Sequence, residues 1–322
     1  MLANKKTPLI TSIVVILAIG GVMLSAKASF FGFGQKVEFV SAWGSKGNGD
    51  GQFLYLEDFA LDASGNLLAT DAIRSNVQIF SPDGEFLSKI DTFNNDRDSF
   101  QKPEGVAVDT QGNIYGGDYL SGYIHKFDTN HNLLKTFSGP GKEEGQTIEA
   151  EFMTVTPDGL IYIAEAGNHR ISTFNLDGEF QFVFGGPGQN AENLKRPEAA
   201  KHASDGTIYV TDYGNNRIQK FTPDGKLISV FGKEGTAPGE FRNPTGIAFD
   251  KFGNIYICDL GNNRIQVFNK DHELKYIWGE EGLAQGQFSN LHGLIVDDDG
   301  YVYVADTGNN RIQKFRILDF GE

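Results

Sequence analysis

A ten-residue motif recurs at constant spacing along this chain. DYGNNRIQKF begins at residue 212, DLGNNRIQVF at 259 and DTGNNRIQKF at 306, so each copy starts 47 residues after the previous one. Positions related by this spacing are called in phase below. The acidic residue that opens the motif recurs as Asp71, Asp118, Glu165, Asp212, Asp259 and Asp306, and the aromatic residue that closes it as Phe80, Phe127, Phe174, Phe221, Phe268 and Phe315. Six repeat units therefore follow one another without insertion or deletion.

Each unit has the pattern of four short strands. In the fifth unit these are TGIAFD, IYICD, RIQVF and LKYIWG, which are rich in Ile, Val, Tyr and Phe and are separated by turns containing Gly, Asn or Asp. A radially repeated four-stranded antiparallel sheet is a β-propeller blade. The composition agrees, because 40 glycines and 26 phenylalanines indicate many turns and aromatic strands, and a single cysteine excludes an intrachain disulfide.

The two ends of the array distinguish a closed ring from an open solenoid. The last unit ends after its third strand, whereas Trp43 in KVEFVSAWG lies in phase with the fourth-strand positions of the other units. Those positions are Ile90, Phe137, Phe184, Phe231 and Trp278. The sequence therefore predicts an all-β fold, a six-bladed β-propeller over 36–322 whose N-terminal strand completes the last blade. Such closure removes exposed sheet edges.

Residues 1–35 are predicted to be a signal peptide or a transmembrane anchor with a short linker. Lys5 and Lys6 precede the uncharged run LITSIVVILAIGGVML at 9–24, and small residues then lead to a cleavage position after Ala28. An uncleaved helix of about 20 apolar residues also spans a bilayer. In both cases the positive-inside rule places the propeller outside the cytoplasm, either secreted or held at the membrane through the N-terminal helix.

The charge balance restricts the partners. A formal net charge of −14 repels phosphate backbones, so nucleic acid is excluded as a partner, while cations and basic groups are favoured.

The repeated motifs resemble the NHL repeat. Pro244-Thr245-Gly246, the turn and strand that follow, and the Asp-x-Gly-Asn-Asn-Arg-Ile-Gln-x-Phe motif carry the likeness, which covers the chain beyond the N-terminal segment. The resemblance implies a six-bladed propeller. It implies no single activity, because propellers of this kind serve as binding platforms, RNA readers, lyases and hydrolases. The motif acids and the arginines Arg170, Arg217, Arg264 and Arg311 recur in most units and are interpreted as loop anchors.

Functional residues are expected where in-phase positions differ. The position just before the first strand of each blade should ring the mouth of the central channel on the top face of the propeller. Its occupants are Glu57, Glu104, Glu151, Glu198, Thr245 and His292. They are predicted to form a solvated acidic rim that binds nothing specific, an acidic face that binds a protein, peptide, glycan or small molecule, or a site for calcium or zinc. The candidate metal ligands are Glu104, Glu151, Glu198 and His292.

The resemblance adds an expectation about this metal. In NHL-fold peptide-amidating lyases, histidines at this position hold zinc, but only His292 matches here, so a three-histidine zinc site is not supported. Lactonase-type propellers hold calcium with carboxylates and an amide, which the glutamates resemble more closely.

The fourth unit departs from the others in its first strand. Lys201 is in phase with Ala60, Ala107, Thr154, Ala248 and Ile295, and His202 replaces an apolar residue. A polar residue here needs a partner. Pairing of Lys201 with a glutamate in the channel is the plain interpretation, and a catalytic base or an anchor for a substrate carboxylate is the alternative.

Two functions remain open from the sequence. The first is an extracytoplasmic binding module that uses the acidic top face. The alternative is a metal-dependent lyase or hydrolase with its site in the central channel, where Lys201 and His202 are the catalytic candidates.

Overall fold

The chain folds as an all-β propeller in a computed structural model that describes residues 36–91 and 97–318. The residues of the predicted export segment, 1–35, lie outside the described residues. Within the described ranges, no helix is long and apolar enough to cross a membrane. The helical elements found there are three short 3₁₀ turns at Tyr213–Asn215, Leu260–Asn262 and Thr307–Asn309.

Twenty-four strands follow the repeat. The first strands of the units are β2 (Leu56–Leu61), β6 (Pro103–Val108), β10 (Ala150–Val155), β14 (Ala199–His202), β18 (Pro244–Phe249) and β22 (Leu291–Val296). The second strands are β3 (Leu67–Asp71), β7 (Ile114–Asp118), β11 (Leu160–Glu165), β15 (Ile208–Asp212), β19 (Ile255–Asp259) and β23 (Tyr301–Asp306). The third strands are β4 (Asn76–Phe80), β8 (Tyr123–Phe127), β12 (Arg170–Asn175), β16 (Arg217–Phe221), β20 (Arg264–Phe268) and β24 (Arg311–Ile317). The outer strands are β1 (Val37–Trp43), β5 (Phe86–Ile90), β9 (Leu133–Ser138), β13 (Phe180–Gly185), β17 (Leu227–Phe231) and β21 (Leu274–Trp278).

These strands form five sheets. Four sheets have four strands each, and one has eight, in which β10 and β14 pair in parallel through Phe152 and Ala199 alone. The N-terminal strand β1 pairs antiparallel with β24, from Val37 opposite Ile317 to Trp43 opposite Ile312. The prediction that the N-terminal strand completes the last sheet is confirmed. Trp43 packs there against Phe80 and Tyr303, with ring centroids 6.3 and 6.2 Å away.

The first strands surround the channel. Each contacts the next in the order β2, β6, β10, β14, β18 and β22, and β22 contacts β2. Glycines at the third position of some of these strands allow a close approach. A Cβ atom on Gly293 would lie 2.2 Å from the Glu57 carbonyl oxygen, and one on Gly246 would lie 2.6 Å from that of His292. The inner strands therefore pack backbone against backbone, which keeps the channel narrow.

Candidate cation-binding site in the central channel

The in-phase residues predicted to ring the channel are part of the inner strands. Glu57, Glu104, Glu151, Thr245 and His292 are each the second residue of a first strand, and Glu198 directly precedes β14. In the five strands that begin one residue before this position, the pairing with the second strand shifts register across it, as between Leu56 and Phe59. Such a bulge redirects side chains. It accounts for how residues on a regular ladder come to point toward the axis.

Three of the four channel glutamates are buried and do not form a solvated rim, and Glu198 is partly buried. Glu57, Glu104 and Glu151 are 3%, 4% and 3% exposed, and His292 is 7% exposed. The interpretation of these residues as an acidic surface on the top face is therefore wrong, because the narrow channel encloses them.

Three of these residues converge. Ligand atoms of Glu57, Glu198 and His292 all lie within 4.8 Å of one another, although β2 and β14 are on opposite sides of the ring of inner strands. The His292 Nε2 and Glu57 Oε2 atoms are 3.8 Å apart, which is too far for a hydrogen bond. These three residues are called the axial cluster below.

The neighbours of His292 fix the orientation of its ring. The Asn290 carbonyl oxygen lies 3.1 Å from Nδ1, so Nδ1–H donates to it and the lone pair remains on Nε2, which faces the cluster. Burial lowers the pKa of His292 to about 4, so the ring is neutral near pH 7. Tyr55 packs beside it, with ring centroids 5.6 Å apart.

The environment of the Glu57 and Glu198 carboxyl groups disfavours their ionised forms. Burial, then the carboxylates of Glu104 and Glu198, raise the pKa of Glu57 well above its usual value. Burial, followed by Glu104, raises the pKa of Glu198 to about 8. Excess negative charge in an enclosed site is relieved either by protons or by a bound cation.

Glu104 and Glu151 lie outside the axial cluster. Lys102 makes a salt bridge with Glu104, and its Nζ lies 3.9 Å from the centroid of the Tyr119 ring. Burial, then the charges of Glu198 and Glu104, raise the pKa of Glu151 well above its usual value. The predicted metal set is therefore divided, because Glu198 and His292 join Glu57 while Glu104 pairs with Lys102.

Thr245 has a structural role at its position. Its hydroxyl donates to the His292 carbonyl oxygen at 3.0 Å and so connects β18 to β22. The side chain is fully buried. It helps to fix the backbone of His292 and is not one of the groups that form the axial cluster.

The prediction that Lys201 pairs with a glutamate is wrong, because its partner is Asp58. Its Nζ donates to both carboxylate oxygens of Asp58, at 2.8 and 3.1 Å, and to the Met153 carbonyl oxygen at 2.9 Å. His202 is half-buried at the end of β14, and burial lowers its pKa. His202 does not belong to the axial cluster, and the Lys201 ammonium is engaged by Asp58 and the Met153 carbonyl oxygen, so neither is placed as a general base.

A second set of side chains lies around the cluster. Each member of this set lies two residues before a channel position, so all four are in phase: Tyr55, Lys102, Arg196 and Asn290. The Arg196 Nη1 atom is 2.8 Å from Glu149 Oε2. This rim was missed from the sequence, although these in-phase positions vary as much as the channel positions themselves.

Comparison with known proteins agrees with the repeat. The NHL repeat family model matches residues 197–221, 241–268 and 288–315. No curated protein matches the chain in sequence.

Many solved structures share the fold. A streptogramin B lyase structure is 18% identical, over 87% of this chain and 98% of that chain, with a TM-score of 0.63. A gluconolactonase from Xanthomonas campestris is 17% identical, over 83% of this chain and 87% of that chain, with a TM-score of 0.62. One chain of a nidogen/laminin complex is 18% identical, over 74% of this chain and 84% of that chain, with a TM-score of 0.60. At these identities the likeness concerns the fold alone.

Proposed function

We propose that this NHL-repeat β-propeller binds a divalent cation in the axial cluster and, through it, a ligand at the mouth of its central channel. The convergence of Glu57, Glu198 and His292 within 4.8 Å carries the proposal. Two carboxylates and an imidazole suit calcium, zinc or a similar ion, with water or a ligand completing the coordination.

The surroundings of the Glu57 carboxylate support the binding of a cation. Glu57 is 3% exposed, and in the described part of the chain the ion-pair contact of its carboxylate is with His292 Nε2, at 3.8 Å. A buried charge without a partner is costly, whereas a cation between Glu57 and Glu198 satisfies both. The His292 tautomer leaves Nε2 available to the same ion.

The rim indicates where the ligand binds. Lys102 and Arg196 supply positive charge beside the cluster, and Tyr55 and Tyr119 supply ring faces and hydroxyl donors. This combination suits a small molecule, or the end of a peptide or glycan, that carries an anionic or oxygen-rich group. The ligand is therefore expected to enter the channel mouth rather than lie on an acidic surface.

The first experiment measures cation binding. We expect the purified protein to bind one divalent cation per chain by calorimetry and plasma mass spectrometry. At about 100 times the Kd, the cation should raise the free energy of unfolding by ~2.7 kcal/mol. His292→Ala and Glu198→Gln should each weaken binding at least about tenfold, the range typical of a perturbed metal site.

Glu192→Gln is the matched control, because Glu192 is exposed and its loss removes the same charge from the surface. It should bind the cation like the unaltered protein. Equal affinity in Glu198→Gln and Glu192→Gln would contradict the proposal.

We also infer that the propeller has six blades. The support is the in-phase repetition, the contacts of β22 with β2, and the division of the eight-stranded sheet into two four-stranded groups that meet through one residue pair. Export through residues 1–35, with the propeller secreted or anchored outside the cytoplasm, is part of the same proposal. It rests on the basic, apolar and small-residue order of that segment.

A metal-dependent lyase or hydrolase is the second candidate. The environment of Glu151 favours it, because burial and the neighbouring carboxylates raise the pKa of Glu151 well above its usual value and so favour the protonated form that a general acid requires. When bound, the cation would polarise a carbonyl group. The streptogramin B lyase and the gluconolactonase of the same fold guide the choice of substrates.

This candidate predicts cation-dependent turnover of a lactone or of streptogramin B. Glu151→Gln should lower kcat by about 10²–10⁴-fold while cation affinity stays within a few-fold. Substrate loss would be followed by chromatography, with and without chelator. Unchanged kcat in Glu151→Gln would remove Glu151 from the proton transfer.

A further inference from the structure

Two departures from the repeat meet in the channel. Lys201 occupies a position that carries no charge in the other units. Asp58 is in phase with Gly105, Phe152, Ala199, Gly246 and Gly293, so it is the one charged residue at a position where glycines in three units let neighbouring strands approach. These two residues bond to each other, although 143 positions separate them in the chain.

The pair spans the channel. Asp58 lies on β2 and Lys201 on β14, three inner strands apart in the closed ring, and therefore opposite each other. The ammonium also bonds the Met153 carbonyl oxygen on β10, while the Val106 N–H on β6 lies 3.4 Å from Asp58 Oδ2. Four of the inner strands thus contribute to one buried ionic contact, in which Asp58 directly follows Glu57 and Lys201 lies three residues after Glu198.

The surroundings of the ammonium resemble those of a bound cation. Three oxygen atoms lie 2.8–3.1 Å from Nζ, two from a carboxylate and one from a backbone carbonyl. Hard cations take the same ligand types. Asp58 is 1% exposed, so its charge requires a fixed positive partner.

The fold itself does not require this pair. At the position of Lys201 the other units have Ala, Thr or Ile and still form the same first strand. A buried ion pair is at best weakly stabilising relative to apolar residues. The pair lies next to the axial cluster, which has excess negative charge. This placement indicates that the pair helps to determine how many cations the channel binds.

We propose that the Lys201 ammonium occupies a second cation position on the channel axis, so that the channel holds one divalent cation and not two. The position is formed by Asp58 and the Met153 carbonyl. Without the lysine it becomes a site for a hard divalent cation such as calcium. The statement that one cation binds alongside Lys201 rests on the proposed function, whereas the second position depends only on Asp58, Met153 and Lys201.

The test is the stoichiometry of calcium and of manganese, measured by calorimetry on the full chain. We expect one ion in the unaltered protein, two in Lys201→Ala, and one again in Lys201→Ala/Asp58→Asn. Lys220→Ala is the matched control, because the Lys220 Nζ lies 2.9 Å from Asp205 Oδ2 outside the channel, and its loss should leave one ion bound.

Each outcome decides the question. A folded Lys201→Ala that binds the same number of ions as the unaltered protein overturns the inference. If Lys201→Ala unfolds without cation, refolding on addition of calcium supports it. Failure to refold, while Lys201→Ala/Asp58→Asn folds normally, reduces the pair to a structural salt bridge and overturns it.

The two proposals fail separately. No ion in the unaltered protein would refute the proposed function. In that case, one ion in Lys201→Ala that is lost in Lys201→Ala/Asp58→Asn would still uphold the second position, and none would refute both.

Discussion

The acidic residue that opens each repeat motif is fully buried beside the loop before its own first strand. In the fourth unit, Asp212 Oδ1 accepts the Lys195 backbone N–H at 2.7 Å, and Oδ2 accepts Arg217 Nε at 2.7 Å. The guanidinium group also donates to the carbonyl oxygens of Asn190 and Asn193. One carboxylate and one guanidinium thus fix the loop, and the prediction that these residues anchor loops is confirmed.

The first unit keeps this anchor although its motif arginine is replaced. Asn76 stands at the arginine position, but Arg74 reaches the same loop from two residues earlier. Its guanidinium donates to the carbonyl oxygens of Gly49 and Gln52, which are in phase with Asn190 and Asn193. The chemistry is therefore conserved between units while the residue that supplies it has moved.

Because Arg74 takes the place of the motif arginine in the first unit, removing it should destabilise the loop. Arg74→Ala should lower the free energy of unfolding by about 2 kcal/mol, because hydrogen bonds from a charged group contribute ~1.5–3 kcal/mol and the loop carbonyls lose their donor. Urea unfolding would measure it, with Arg242→Ala as control, since the Arg242 side chain is exposed. Adding Asn76→Arg should restore part of the loss; no recovery would contradict the equivalence of the two positions.

At the scale of strands, much of the architecture follows from the sequence. The segments TGIAFD, IYICD, RIQVF and LKYIWG correspond to β18, β19, β20 and β21. The phase of Trp43 gave the pairing of β1 with β24. Strands of this kind can be predicted because alternation, turn residues and a fixed repeat all indicate the same boundaries.

The direction of the channel side chains could not be predicted in the same way. Regular alternation assigns a residue to one face of a strand, but a bulge shifts the ladder at the channel position. For this reason the right positions were identified, while their burial and grouping were not. The partner of Lys201 was missed because only Lys201 was compared across units; the same comparison at Asp58 would have revealed the second departure.

At the scale of the whole molecule, the distribution of charge matters more than its total. The net charge of −14 suggested an acidic surface, yet several carboxylates lie in the channel. Closure of the ring by β1 and β24, together with the tight packing of the inner strands, concentrates this charge on the axis. The stability of the whole propeller should therefore depend on the ionisation of a few buried groups.

The cation-free protein should lose stability as the pH rises from about 6.5 to about 9. Burial raises the pKa of Glu198 to about 8 in the folded state, above its value in the unfolded chain. The folded state therefore holds the proton more tightly, and this contribution is complete below the unfolded pKa and is lost as the pH passes through the folded one. Glu57 and Glu151 act in the same direction. His292, with its pKa lowered to about 4, stays neutral in both states over most of this range and affects stability at lower pH instead.

Thermal unfolding in chelator, followed across this range, would measure the effect. We expect Tm to fall by several degrees, since about 1 kcal/mol corresponds to roughly 2–4 °C in a domain of this size. Calcium should flatten the profile because a bound cation favours the ionised carboxylates, and Glu198→Gln should make it shallower without calcium because one of the titrating carboxyl groups is gone. Glu192→Gln should keep the slope of the unaltered protein. A Tm that stays constant with pH in chelator would mean that the axial carboxylates are compensated within the protein, which would leave a cation little to neutralise.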